Sequence, residues 1–191
     1  MTGNKTQQQS RDVSGNRSKK YLVEPFKSSN SPPWFDARGV AFGLLIGLGI
    51  PLGAQMVCLG LLRLILRFNI VIAFVFTWVN NPISVIPMYY AYYVLGSVIL
   101  GKPAVMTLAD FQDLMKPVLQ AQYFFNSVHA FMVLGADLLM RWFLAAVSIA
   151  IPAAVVGYFI SHRVQRKRCK RKAEKLGITY RKLVQQLEKE I

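Results

Sequence analysis

The chain has 191 residues, with 23 Lys and Arg against 9 Asp and Glu, a formal charge of +14 and 53% apolar content. A disordered or nucleic-acid-coating tail joins high charge to low apolar content, and a soluble domain holds about 25% charged residues, whereas only 17% are charged here. Neither class describes the whole chain, so the charges must be gathered in certain places. Residues 1–38 carry net +4, residues 39–160 net +2 and residues 161–191 net +8. The middle 122 residues hold eight charges. That is far below the roughly 25–35% charged residues of a water-facing surface, and a lipid-facing surface needs none.

Residues 1–33 are rich in Ser, Asn, Gln, Lys and Arg and end in Pro32-Pro33. They lack apolar periodicity and are expected to form a disordered cytoplasmic tail. The first 20 residues contain no apolar core of a signal peptide, and the character of an organelle transit peptide is also missing. A membrane domain is expected over residues 34–160. Its first apolar run is Gly39–Leu62, with Pro51 at its centre and Gly39, Gly43, Gly47, Gly49, Gly53 and Gly60 along it. The second run is Ile70–Leu100, interrupted at Asn80-Asn81-Pro82 and again at Pro87. Between residues 102 and 126, Leu108, Phe111, Leu114, Met115, Val118 and Leu119 recur at helical spacing. The third run is Val128–Ile160, with Asp137 and Arg141 four apart. Residues 161–191 form a basic cytoplasmic segment that is expected to be an amphipathic helix. Gly177 splits it, and Tyr180, Leu183, Val184, Leu187 and Ile191 mark one face.

A helix crossing about 30 Å of hydrocarbon needs roughly 20 apolar residues. The three runs are 24, 31 and 33 residues long. Lys and Arg near membrane ends set orientation. Arg38 and the stretch Arg163–Lys175 put both termini in the cytoplasm. Arg63 and Arg67 after the first run are best placed there too. The first run then reads as a re-entrant hairpin, in at Val40–Ile50, turning at Pro51-Leu52-Gly53 and back over Ala54–Leu66. The second run dips in, bends at Asn80-Asn81-Pro82 and crosses out, and the third crosses back. Four conventional short spans are the competing reading. The fold class expected is an all-α integral membrane protein of broken or re-entrant helices plus transmembrane helices.

Pro51, Gly53, Pro82 and Pro87 are the expected structural breakers. Transporters build binding sites from interrupted helices, because half-helix ends carry partial charge without an ion in lipid. The candidate substrate-binding residues are therefore Gln55, Thr77, Asn80 and Asn81 beside the breaks, with Arg63 and Arg67 to attract phosphate. The competing reading makes the breaks packing devices, with Gly39, Gly43 and Gly47 as a small-residue face. Asp137 and Arg141 read as an internal ion pair or a proton relay. Tyr89, Tyr90, Tyr92, Tyr93 and Trp78 look first like interfacial anchors.

Two blocks carry a resemblance. The first is Ala37-Arg38-Gly39-Val40-Ala41 continuing through Gly43, Ile46 and Gly47 to Pro51, Gly53, Gln55 and Met56. The second is Leu66-Arg67 and Asn69, then Thr77-Trp78, Asn81-Pro82, Ser84, Pro87, Tyr89, Tyr93 and Gly96. Over about residues 32–160 the chain resembles the bacterial membrane family catalogued as domain of unknown function number 2062. Ser84 stands where Thr would be expected and keeps the hydroxyl. The resemblance implies a small bacterial multi-pass inner-membrane protein and supplies no activity.

The functional expectation is binding or translocation of a lipid-linked or small anionic substrate through the breaks at Pro51 and Pro82. The alternative is a membrane adaptor recruiting a partner through its basic tails. No catalytic residues stand out, so no enzyme is expected, and no metal site or cofactor either: Cys58, Cys169, His129 and His162 are too few and too scattered for zinc. The expected partners are membrane lipids, anionic ones in particular, with a homo-oligomer left open and nucleic acid excluded. The basic tail begins within three residues of an apolar run, where anionic lipid is its natural counterpart.

Overall fold

The structure, a computed structural model, describes residues 31–51, 53–81, 83–120, 129, 132 and 135–190, with the backbone alone at 118–120. The expected tail over 1–30, and Pro82 among the expected breakers, lie outside the described residues. The described residues form seven helices and no strand: α1 (Pro33–Gly49), α2 (Gln55–Ile65), α3 (Ile70–Thr77), α4 (Val85–Ile99), α5 (Leu108–Gln120), α6 (Ala136–Lys175) and α7 (Tyr180–Lys189). The described residues are all-helical in their regular structure, as the periodicity predicts.

Local chemistry sets the helix limits. Pro33 opens α1, where its missing N–H costs nothing and its fixed φ suits a first turn. The helix ends before Pro51 because the residue ahead of a proline is driven out of the helical region; Ile50 is extended at φ −118° and ψ 135°. Gly53 has φ 99°, a left-handed conformation that glycine adopts without strain. Asn69 caps α3 by accepting from the Ile72 N–H at 3.3 Å. The expected breaker Pro87 does not break anything. It is the third residue of α4, and the first-turn N–H groups of a helix have no partner to lose. Pro152 is likewise accommodated, inside the 40-residue α6.

Three helices meet along glycine. A Cβ on Gly39 would press on Asn69 O, one on Gly43 on Ala73 O, and one on Gly47 on Thr77 Cα. Numbers rise together along both helices, so α1 and α3 run parallel. In contrast, Gly49 faces Ala150, Gly157 faces Leu44 and Val40, and Asp36 bonds to Gln165, so α6 is antiparallel to α1. Helix α2 returns beside α1: Gln55 lies at Gly47 and Ile50, and the Arg63 guanidinium lies 5.9 Å from the Phe35 ring. Gly96 abuts the Arg141 backbone, which joins α4 to the start of α6.

The tyrosines expected as interfacial anchors are corrected by this packing. Tyr89, Tyr92 and Tyr93 are buried with Val85, Phe111, Met115, Trp142, Ala145 and Ala146. Tyr89 and Tyr92 meet the Trp142 ring edge-on, at 5.5 and 5.7 Å. Trp78 alone of that group is well exposed. In α5, Phe111 and Met115 are buried while Leu108 and Leu114 are exposed. The division at Ile160 is not a break in secondary structure, since α6 runs through it. Gly177, at φ 64°, turns the chain into α7. Leu183 and Leu187 then pack on Cys169 and Ala173 of α6, so the apolar face of α7 is used within the chain.

Candidate functional site

At the first break, the C-terminal carbonyls of α1 would be orphaned. Gln55 supplies the missing donors: its Nε2 reaches Gly47 O at 3.2 Å and Ile50 O at 2.9 Å. Ile46 O accepts from the Ile50 N–H at 3.0 Å, and Leu48 O accepts from the Tyr92 hydroxyl at 3.0 Å. The second break closes in the same way. Asn81 Oδ1 accepts from the Ile83 and Ser84 N–H groups at 2.9 and 3.0 Å. Ser84 Oγ accepts from the Asn81 N–H at 3.0 Å and donates to Val79 O at 3.0 Å. The Thr77 hydroxyl donates to Phe74 O at 2.6 Å.

Gln55, Thr77, Asn80 and Asn81 are therefore brought to one level of the bundle, around the end of α1. Gln55 and Asn81 bond to the backbone of their breaks, and Thr77 bonds back into the last turn of α3. Asn80 differs. It is 3% exposed and its Nδ2 donates to Tyr89 Oη at 3.2 Å. Its Oδ1 has no hydrogen-bond partner among the described residues. The arrangement thus offers one spare amide oxygen between three helices, where an N–H or O–H donor could bond.

The arginines are elsewhere. Arg63 lies eight residues along α2 from Gln55, about 12 Å, against the rings of Phe35 and Phe68. Arg67 is exposed after that helix, and Arg38 rests 4.8 Å over Trp34. These three belong to the end of the bundle where α1 begins, and they do not touch the breaks. Arg141 is buried at the opposite end. Its Nε lies 2.7 Å from Asp137 Oδ2, and its Nη1 donates to Ser97 Oγ and to Pro103 O. Lys102 also pairs with Asp137. Asp137 and Arg141 are an ion pair that ties α4, the 102–103 segment and α6 together.

Two further groups had no signal in the sequence. Asp36 is 1% exposed and accepts from Asn69 Nδ2 at 2.8 Å and Gln165 Nε2 at 2.9 Å. This network locks α1, α3 and α6 at their common end. Burial pushes the nearby Cys169 thiol above its ordinary value, and the Asp36 charge adds to the effect. That thiol is thereby kept from the reactive thiolate form. The second group lines a groove of about 550 Å³ between α1, α3 and α6, which ends at Ser161 and Arg168. Among the described residues no three His, Cys, Asp or Glu side chains converge as metal ligands.

The family model described as "uncharacterized protein conserved in bacteria (DUF2062)" matches residues 16–174. No curated protein and no solved structure matches the chain.

Proposed function

This chain belongs to the bacterial family DUF2062, and on that premise we propose that it is an integral inner-membrane protein that binds, and moves, a lipid-linked or small anionic substrate. The observation that carries the membrane reading is the surface of the bundle. Leu64, Ile65, Ile83 and Phe159 are 83%, 80%, 90% and 66% exposed. Only 22% of the most apolar 18 residues of α6 are buried, whereas the core helix of a soluble protein would be mostly buried. Exposed apolar surface on this scale is what a bilayer requires and water penalises.

The two ends differ in charge. Arg38, Arg63, Arg67 and the stretch Arg163–Lys175 belong to one end. The other holds Lys102, Lys116 and Arg141 against Asp110, Asp113 and Asp137. The basic end is assigned to the cytoplasm. From Arg141 to Ser161 is twenty helical residues, about 30 Å, which equals the hydrocarbon thickness. In this frame α3 and α4 cross outward, α6 crosses back, and α1 and α2 form a hairpin that turns at mid-depth. Arginines at the cytoplasmic end would draw an anion, and Asn80 Oδ1 would give it a hydrogen-bond acceptor at the break for a donor group it carries.

Single cysteines in a Cys58→Ser/Cys169→Ser background test the topology. Arg67→Cys is expected to be labelled only from the cytoplasmic side, Ala104→Cys only from outside, and Ala54→Cys from neither. Labelling of Ala54→Cys from outside would replace the hairpin by full spans. Labelling of Arg67→Cys and Ala104→Cys from one side would end the two-crossing frame. The adaptor role is the second reading, supported by the exposed basic residues of α7, Arg181, Lys182 and Lys189. Truncation after Gly177 separates the two readings, because substrate binding should survive it and partner recruitment should not.

A further inference from the structure

We propose that the groove between α1, α3 and α6 holds one acyl chain of a phosphate-bearing lipid, with the phosphate seated at Ser161 and Arg168. This rests on the membrane reading above and names the substrate class for it. The walls are apolar: Val40 and Leu44 from α1, Phe76 from α3, and Gly157 from α6. The volume, about 550 Å³, lies within the range of small-ligand sites. Along α6 the groove runs from Ala153 to Arg168, about 22 Å. One leaflet supplies about 15 Å of hydrocarbon, so a leaflet-long chain and its head group fit this length. Val156 and Ile160 on the rim are half-exposed or more, so the groove opens sideways, toward where lipid would be.

The polar end commits the occupant. Ser161 is 8% exposed, and among the described residues neither its Oγ nor the buried Nη1 of Arg168 has a hydrogen-bond partner. The two residues lie two turns apart on one face of α6, and both line the groove. Two unmet donors at the end of an apolar groove match a phosphate oxygen on an acyl chain, because arginine forks suit phosphate. In the proposed frame this end lies at the cytoplasmic surface, the depth of lipid phosphates. A second helix in the groove would leave both donors unmet unless it brought an acidic side chain to their level, whereas a lipid phosphate already lies at that depth.

The test uses the full chain in phosphatidylcholine vesicles that contain phosphatidylglycerol with a photoreactive group in its acyl chain. Adducts are mapped by peptide mass spectrometry. They are expected to concentrate on residues 40–44 and 156–164. Arg168→Ala should lower their yield about tenfold or more, the loss of a charged hydrogen bond. Ile160→Trp should block them by filling the groove from its exposed rim, while Arg163→Ala, outside the groove, should leave them unchanged. Adducts spread evenly over the exposed faces of α2 and α4, or unaffected by Arg168→Ala and Ile160→Trp, would overturn the proposal. So would full competition by soluble glycerol phosphate, or cross-links between two copies of the chain. Extraction of the protein from the vesicles by alkali would instead sink the membrane reading itself, so the two failures are distinguishable.

Discussion

Gln55 answers a problem that a single residue created. Pro51 ends α1 inside an apolar run, and the carbonyls of Gly47 and Ile50 need donors that water does not supply there. One amide serves both, at 3.2 and 2.9 Å. Each buried acceptor left unmet costs about 1–3 kcal/mol. Gln55→Ala is therefore expected to destabilise the folded protein by about 2–5 kcal/mol, read by thermal or chemical unfolding in detergent micelles. Gln55→Glu should be worse at neutral pH, because a carboxylate accepts only and faces two carbonyl oxygens. It should recover in part as acid protonates it. A melting temperature unchanged in both variants would remove this role from Gln55. Gly96 shows the same economy of space. Its missing Cβ lets α4 touch the Arg141 backbone, and the sequence shows a glycine there without showing what it meets.

At the scale of elements, ends matter more than middles. Thr107 and Asp110 form a reciprocal cap on α5. The Asp110 N–H donates to Thr107 Oγ1 at 3.3 Å, and Asp110 Oδ2 accepts from the Thr107 N–H and hydroxyl at 3.1 and 2.7 Å. This is the capping-box arrangement with Asp in the acidic position. Bonds from Thr107 hold the Asp110 carboxyl below its ordinary value of 3.8. A carboxyl with a lowered folded value stabilises the fold above its unfolded value and loses that contribution as pH falls through the folded one. The start of α5 should thus be intact at neutral pH and fray in acid, below about pH 4. Thr107→Ala is expected to return Asp110 toward 3.8 in an NMR titration, and an unmoved titration would refute the cap. Apolar spacing made the helix over residues 108–119 legible in the sequence, though not its Thr107–Asp110 cap. The closing of the break at 78–84 was only partly so: Asn81 and Ser84 were visible as polar residues beside a proline, but their bonds to each other depend on a backbone path that residue type alone does not give.

For the whole molecule, the proposed membrane reading makes the distribution of charge the determinant of orientation. Basic residues near an anionic leaflet contribute about 1 kcal/mol each. Replacing Arg166, Lys167, Lys170 and Arg171 by Gln should let part of the population insert with α6 reversed, measured as protease access to a carboxy-terminal tag from the outer side. A tag that stays wholly protected would mean that packing of α6 on α1 and α4, and not charge, holds the orientation. The sequence by itself determined the helical class, the end of α1 ahead of Pro51, the turn at Gly177 and the gathering of basic charge in the two ends of the chain. Those follow from local rules: a residue before proline avoids the helix, glycine alone turns left-handed cheaply, and apolar runs exclude charge wherever they fold. Only the tertiary structure decided that three tyrosines fill the core and that Arg63 and Arg67 stand apart from Gln55 and Asn80. It alone joined Asp36 to Gln165 across 129 positions and set Ser161 beside Arg168 at the end of a groove. No local preference encodes a meeting over that separation, which arises when α6 runs back along α1 and the glycines of α1 let α3 come close.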